Sequence, residues 1–310
     1  MLDVPGDPLG AREQRRHQYV RGSVVGAGEA NVLAGLASLG WRSSWFSALP
    51  RSPMARRVES RLRSFGVDLS GVVRRDEGRL GTYHVEYGAA PRPTQVYFDR
   101  KDTAFTRMTV ADVDWDGLLD TRIIHLTGIT AALSPSVLRI LAETMDRAAG
   151  AGVPVAFDVN YRATLWSPEE AVAALRPFIE RAEILFVRSD DLHTLFGCGP
   201  EPEGALECAL SLTKARYVAV TCGDLGVRAS LDGQQVSAAA RPVQIVDRLG
   251  AGDGFAAGFL HAWLDGQVAA APEHGAAMAA LALAQEGEQV VTNREELAAA
   301  RLNSGQSVHR

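Results

Sequence analysis

The residues best equipped for chemistry lie in one run, VDRLGAGDGFAAGF, from Val246 to Phe259. The preceding VQIV is apolar and β-branched and predicts a strand, whereas GDGFAAGFLHAWLDG has a helical period. Gly250, Ala251, Gly252 and Asp253 therefore fall at a helix N-terminus. Glycines there let successive backbone N–H groups approach one anion, and the helix dipole adds to the attraction. A phosphoryl group in transfer is a suitable guest, because its transition state is stabilised mainly by positioning and electrostatics. Asp253 has two readings. It is either a favourable partner for the dipole, or a base that takes a hydroxyl proton beside the phosphate, an effect worth roughly 10²–10⁴-fold. The run is neither GxGxxG nor GxxxxGK[ST], which sets aside the dinucleotide-binding and P-loop readings.

The elements that must position this run are legible from Thr121 onward. Short apolar stretches (RIIHLTGI, VPVAFDVN, AEILFVR, RYVAVTCG) alternate with helical patterns such as SPSVLRILAETMDRAAGAG, SPEEAVAALRPFIERA and GALECALSLTKA. Continuous apolar strands separated by helix-length segments predict a parallel sheet covered on both faces. In such sheets ligands bind beyond the carboxyl ends of the strands. There lie Thr127 and Gly128; Asp158, Asn160 and Arg162; Arg188; and Thr221 and Gly223. Upstream, EANVLAGLASLG and MARRVESRLRSFGVD predict helices ending at Gly40 and Gly66. Between Arg79 and Arg107 the pattern alternates around Gly-Ala-Ala-Pro, which predicts a hairpin flap standing off the main sheet.

Composition narrows the function classes. A chain of 310 residues, 46% hydrophobic and 22% charged, suits one soluble α/β domain. A net charge of −5 argues against a general nucleic-acid binder, and the basic runs AREQRRHQYVR and RSPMARRVESRLR read as solvated helix faces. Lysine occurs only at Lys101 and Lys214, so a cationic grip on an anion would use planar arginine forks. Cys198, Cys208 and Cys222 predict neither a metal site nor a disulfide framework, and the default compartment is a reducing cytosol. No apolar run reaches the ~18 residues of a membrane span, and MLDVPGDPLGAREQRR has no signal-peptide core.

The stretch from Asp247 to Gly258 resembles the second signature of the PfkB (ribokinase-like) carbohydrate kinases, D-x-x-G-A-G-D-x-F-x-A-G. GAGEANVLAGLASLG looks like the first signature of that family, and VTCGDLGV like its nucleotide loop. The resemblance covers Gly26 to Glu288. It implies a single kinase domain over residues 1–310, a ribokinase-like three-layer sandwich with a mostly parallel central sheet. A small β lid would form from about residues 10–26 and 76–107. It further implies Asp253 as catalytic base, an anion hole at Gly250, Ala251 and Gly252, and a nucleotide site at Thr221, Gly223, Gly226 and Asp247. ATP and Mg²⁺ would be required, with Asp191 near the metal.

HLTGITAALSP followed by DVNYRATLWSPEEA is most similar to 2-keto-3-deoxygluconate kinases within the family. That substrate carries a carboxylate, which calls for arginine. The resemblance assigns Arg100 and Arg162 to the sugar acid, with Gly26, Ala27 and Asn31; the bland alternatives are an exposed strand residue for Arg100 and an ion pair with Asp158 for Arg162. His125 reads as a satisfied core histidine, and Phe157 and Trp166 as packing.

Three departures from the family pattern are visible. No apolar strand precedes Gly-Asp-Pro-Leu; a start downstream of the natural one would remove a central strand and leave a gap unless another segment fills it. Gly26-Ala27-Gly28 replaces a glycine pair. The motif resembling Asn-x-x-Glu reads Arg188-Ser189-Asp190-Asp191. A different sugar kinase, such as a fructokinase, and a catalytically weak sugar-acid or nucleotide sensor therefore stand as alternatives. The apolar residues of the flap predict a homo-oligomer paired through the lid.

Overall fold

Strand β7, Ile184–Arg188, shows how the chain builds its layers. Ile184 and Phe186 point into one apolar cluster, and Leu185 and Val187 into another on the opposite face. Side chains alternate across a strand, so a continuous apolar run is buried on both faces. The computed structural model describes residues 28–86, 88, 91–92, 95–199 and 201–302. Gly26, Ala27 and the 10–26 part of the expected lid lie outside the described residues.

In chain order the elements are α1 Gly28–Ser38, β1 Ser47–Pro50, α2 Pro53–Ser64, β2 Val72–Arg75, β3 Thr82–Glu86 and β4 Gln95–Asp99. Next come α3 Trp115–Leu119, β5 Ile124–Thr127, α4 Gly128–Ala131, α5 Pro135–Ala151, β6 Val155–Asp158, α6 Pro168–Arg181 and β7. The remainder are α7 Ser189–Phe196, α8 Pro202–Leu212, β8 Tyr217–Thr221, β9 Val227–Leu231, β10 Gln234–Ala238, α9 Ala251–Leu264, α10 Ala271–Leu283 and α11 Arg294–Leu302. The main sheet has the order β10-β9-β8-β7-β6-β5, parallel from β5 to β8 and antiparallel at β9 and β10. The predicted three-layer α/β architecture is present.

One face carries α1, α9, α10 and α11. Helix α9 is apolar all round because it is enclosed by the sheet, α1 and α10. Phe255 and Phe259 meet Phe186 of β7 edge to face, with ring centroids 6.1 and 5.2 Å apart. Gly258 is a packing residue: a methyl there would lie 2.4 Å from the His274 carbonyl oxygen of α10. On the other face Phe157 is fully buried and stacked on Phe178 at 5.2 Å, and Trp166 packs at the edge of that cluster, both as expected. Helix α6 begins with the predicted cap. Ser167 Oγ accepts from the Glu170 amide, and the Glu170 carboxylate accepts from the Ser167 amide.

The hairpin β3–β4 forms where the alternating pattern placed it, with Tyr83 buried and Tyr97 and Phe98 exposed. The basic run in α2 is a solvated face, with Arg56, Arg57, Arg61 and Arg63 exposed above buried Val58 and Leu62.

Three expectations need correction: the strand at VQIV, the absence of a disulfide and the satisfied state of His125. VQIV is not a strand: among the described residues no strand pairs with Val243–Val246, the Val246 amide donates instead to the Leu283 carbonyl at 2.8 Å, and Ile245 and Val246 are exposed. Cys198 and Cys208 form a disulfide, because the turn after α7 folds back on α8 and brings their Cα atoms to 6.0 Å. Cys222 is a buried free thiol. The ladder is also divided. β1 and β2 form a separate two-stranded parallel sheet, and β5 is the edge of the main one. Among the described residues no strand joins them, and a cavity of about 840 Å³ is lined by Ser47–Leu49 of β1 and Ile124–Leu126 of β5. His125, on β5, is not satisfied among the described residues. Both of its ring nitrogens are buried without a partner among the described residues, and burial pushes its pKa down to about 4, so it stands as a neutral imidazole.

Candidate active site

Helix α9 opens at Gly250, whose φ of 80° is left-handed. The first helical hydrogen bond runs from the Gly254 amide to the Gly250 carbonyl, 2.7 Å. The amides of Ala251, Gly252 and Asp253 thus have no helical acceptor and face outward with the positive end of the dipole. A methyl group on Gly252 would meet nothing within 4 Å among the described residues. Gly250, by contrast, is held tightly: a methyl there would sit 2.1 Å from the Glu288 carbonyl oxygen.

Asp253 closes the first turn of α9, and its Oδ2 accepts from Asn31 Nδ2 of α1 at 2.7 Å. The same Nδ2 donates to Glu288 Oε2 at 3.1 Å. Burial is the main cause that pushes the Asp253 carboxyl up to about 8, with Glu288 and Asp158 adding and the Asn31 bond and Arg162 opposing. Asp158, at the carboxyl end of β6, is raised to about 7 by burial and by Asp191, against Arg162. Raised carboxyls clustered in a cleft, beside free helix amides, mark a place where a proton and an anion can be handled together.

Arg100, after β4, and Arg162, after β6, line the same cavity as Asp253, Asn31 and Glu288. Neither forms an ion pair among the described residues, so the alternative pairing of Arg162 with Asp158 is absent there. Arg100 rests its guanidinium on the Phe98 ring, 3.7 Å from the centroid. Burial, together with the Arg162 charge, lowers its pKa to about 10, and Glu288 opposes this. Asn160 takes a left-handed φ of 39°, uncommon for a side-chain-bearing residue, and its Oδ1 is buried and unpartnered among the described residues. Asn31 Oδ1 is in the same condition. The cavity is therefore lined by two guanidinium groups with no ion-pair partner among the described residues, and the two amide oxygens are buried in its wall.

Two acidic residues here were not singled out from sequence. Glu29 accepts from Thr127 Oγ1 at 2.8 Å and Thr130 Oγ1 at 2.6 Å, locking the start of α1 onto the end of β5, and burial raises its pKa. Its signal was its place inside GAGEAN. Glu288 lay at the edge of the family resemblance with no motif to mark it.

The expected nucleotide residues sit to one side, off the cavity lining. Thr221 ends β8 opposite Arg188 of β7. Gly223 begins a helical turn, and Gly226, φ 82°, passes so close to β10 that a methyl would meet the Ala238 carbonyl oxygen at 2.3 Å. Asp247 is buried, with Oδ1 accepting from the Leu249 amide and Oδ2 from the Gly287 amide. It ties the entry to α9 to the loop that carries Glu288. Asp191 is buried and accepts from the Tyr161 amide at 3.4 Å, and burial raises its pKa. Arg188 is exposed and paired with Asp190. Among the described residues no group of three or more His, Cys, Asp or Glu side chains could hold a metal ion.

Set against known protein families, residues 4–294 match the one described as pfkB family carbohydrate kinase. The chain belongs to that family. It is a sugar kinase, a phosphotransferase that uses ATP and an alcohol acceptor. A 2-dehydro-3-deoxygalactonokinase of Haloferax volcanii is 35% identical over 271 residues, covering 87% of this chain and 85% of that one. A 2-dehydro-3-deoxygluconokinase of Bacillus subtilis is 30% identical over 292 residues, 91% of this kinase and 87% of the relative. The crystal structure of the Thermotoga maritima 2-dehydro-3-deoxygluconokinase superposes with a TM-score of 0.84 at 31% identity, covering 90% of each chain.

Proposed function

We propose that this kinase phosphorylates the primary hydroxyl of a 2-keto-3-deoxy sugar acid, 2-keto-3-deoxygluconate being the leading candidate. The observation that carries this reading is the pair Arg100 and Arg162, two guanidinium groups without carboxylate partners that line one cavity with Asp253. Both are half-buried with no carboxylate in ion-pair contact, and a substrate carboxylate would supply that contact as a charge-assisted fork. A neutral sugar would leave them facing each other. The three proteins named above are kinases of sugar acids of this chemical class.

In this reading Asp253 accepts the proton of the hydroxyl as it attacks the γ-phosphorus in line. The amides at Gly250, Ala251 and Gly252 hold the charge that develops on the phosphoryl oxygens. Asn31 and Asn160 line the sugar side of the cavity, and the expected contacts of Gly26 and Ala27 lie outside the described residues. Thr221, Gly223 and Gly226 flank the nucleotide, while Asp247 supports the loop. Mg²⁺ would neutralise the phosphates; it commonly binds through one or two carboxylates and substrate phosphates rather than a protein cage, and Asp191, reached through water, is the residue to hold it. The hairpin β3–β4 serves as the lid in this reading, and exposed Tyr97 and Phe98 suit pairing of two lids in a homo-oligomer. No helix among the described residues is long and apolar enough to cross a membrane, and we place the kinase in the cytosol.

The test is ADP release with ATP, Mg²⁺ and a panel of 2-keto-3-deoxygluconate, its galactonate epimer, fructose and ribose. Turnover confined to the sugar acids supports the reading. Turnover only with neutral sugars overturns it, and thermal stabilisation by a sugar acid without ADP release identifies a sensor instead.

A further inference from the structure

Asn31 Nδ2 carries two protons and gives one to each of two carboxylates, Asp253 Oδ2 at 2.7 Å and Glu288 Oε2 at 3.1 Å. The amide is buried, so it has no water to turn to and its plane is set by the two acceptors. Asp253 is then left with Oδ1 free, on the side of Gly28, where a methyl group would already touch it at 3.4 Å.

Glu288 is itself fixed by its backbone. Gly250 packs against its carbonyl oxygen, the preceding Gly287 amide donates to Asp247 Oδ2 at 3.2 Å, and the following Gln289 carbonyl accepts from Gln285 Nε2 at 2.6 Å. Gln289 Oε1 also accepts from Arg61 Nε of α2 at 3.0 Å. A loop held at four points carries one carboxylate into the sugar cavity.

We propose that Glu288 is a positioning residue for phosphoryl transfer: by sharing the Asn31 amide with Asp253 it fixes which Asp253 oxygen meets the substrate hydroxyl. The inference rests on Asp253 being the base. It also has an electrostatic consequence. Among the described residues the charges that act most on Asp253 are Glu288 from the loop after α10, Asp158 from the end of β6 and Arg162 from the loop after it, while Glu29 of α1 and Arg100 after β4 line the same cavity. Of the charges, Glu288 is the strongest contributor, and it makes Asp253 hold its proton to higher pH. A base works only when deprotonated, so kcat/KM rises as pH passes upward through the Asp253 titration, and Glu288 sets where that rise falls.

The experiment is the pH profile of kcat/KM for wild type, E288Q, E288A and E288D, with D253N as reference. In E288Q the amide oxygen still accepts from Asn31 but the charge is gone, so the acid limb moves to lower pH by about one unit. E288A frees one Asn31 proton and lets the amide turn, lowering kcat about tenfold. E288D keeps the charge on a shorter arm, so it retains the wild-type acid limb while losing part of kcat. An unshifted acid limb in E288Q, or wild-type kcat in E288A, overturns the proposal. E288M replaces the glutamine variant for the pH measurement in the event that E288Q does not fold. Turnover by D253N is a separate failure, since it removes the base assignment and not merely the role of Glu288.

Discussion

The side chain of Asn31, on the first helix, spans the 2.7 Å to Asp253 on the ninth and so joins positions 222 residues apart in the chain. This bond favours the ionised form of Asp253 and opposes its upward shift. Asn31→Ala removes it and leaves two carboxylates facing each other with no donor between them. The acid limb of kcat/KM then moves to higher pH, opposite in sign to loss of the Glu288 charge. At neutral pH kcat/KM falls by ~10–100-fold, the loss expected when buried polar partners are stranded. An unchanged limb in this variant would show that the amide does not touch the titrating group.

Asp253 also trades stability for function. Its carboxyl is near 8 in the folded chain against an ordinary value of 3.8, so the folded state holds the proton that the unfolded state releases. The resulting stability is fully present below about 4 and is lost as pH rises toward about 8. The amide that replaces the carboxyl in D253N has no charge to bury. That variant melts higher than the parent at the alkaline end by ~2–4 °C, the shift that about 1 kcal/mol makes in a large domain. The gap narrows toward the acid end, while turnover is lost throughout and sugar binding remains. Calorimetry across the pH range checks the first point, and sugar-acid titration the last.

Arg100→Ala and Arg162→Ala each remove one half of the carboxylate grip. We expect kcat/KM for the sugar acid to fall by ~10–100-fold, as for a lost charge-assisted hydrogen bond, with no comparable loss for a neutral sugar. Arg162→Lys does not restore the rate, because an ammonium group cannot make the bidentate fork. Equal losses on charged and neutral substrates would mean the arginines hold the lid rather than the ligand.

Two neighbouring glycines separate packing from chemistry. Gly250→Ala places a methyl 2.1 Å from the Glu288 carbonyl oxygen at a φ of 80°, and destabilises the fold by on the order of 3 kcal/mol. Gly252→Ala meets nothing within 4 Å and fills a helical position with a better helix former. The Gly252 variant is therefore as stable as the parent, or more so, yet loses turnover because its methyl stands in front of the amides that receive the phosphoryl group. Melting curves and initial rates on the two variants decide this directly.

Much of this arrangement is legible in the residues themselves. The apolar runs that became β5 to β8, the cap at Ser167, the glycine that opens α9 and the acid three residues later are local patterns, each set by interactions within a few positions. Asp253, Asn31, Arg100 and Arg162 could be named because they stand in motifs or at strand ends, and the tertiary structure places all four on one cavity. VQIV misleads because β propensity is only an offer, and the sheet had already ended at Ala238. The Cys198–Cys208 disulfide was illegible because a separation of 10 residues says nothing about how α7 and α8 turn back on each other.

Periodicity and backbone sterics thus set the layers, the helix mouth and the identity of the acid there, all of them local properties of the chain. The state of that acid was set by neighbours that folding brought to it. Glu288 reaches it from 35 positions further along the chain and Asn31 from 222 positions back, as do the burial and the neighbouring charges. Burial and Coulomb interactions depend on distance in space, and distance along the chain carries no record of them.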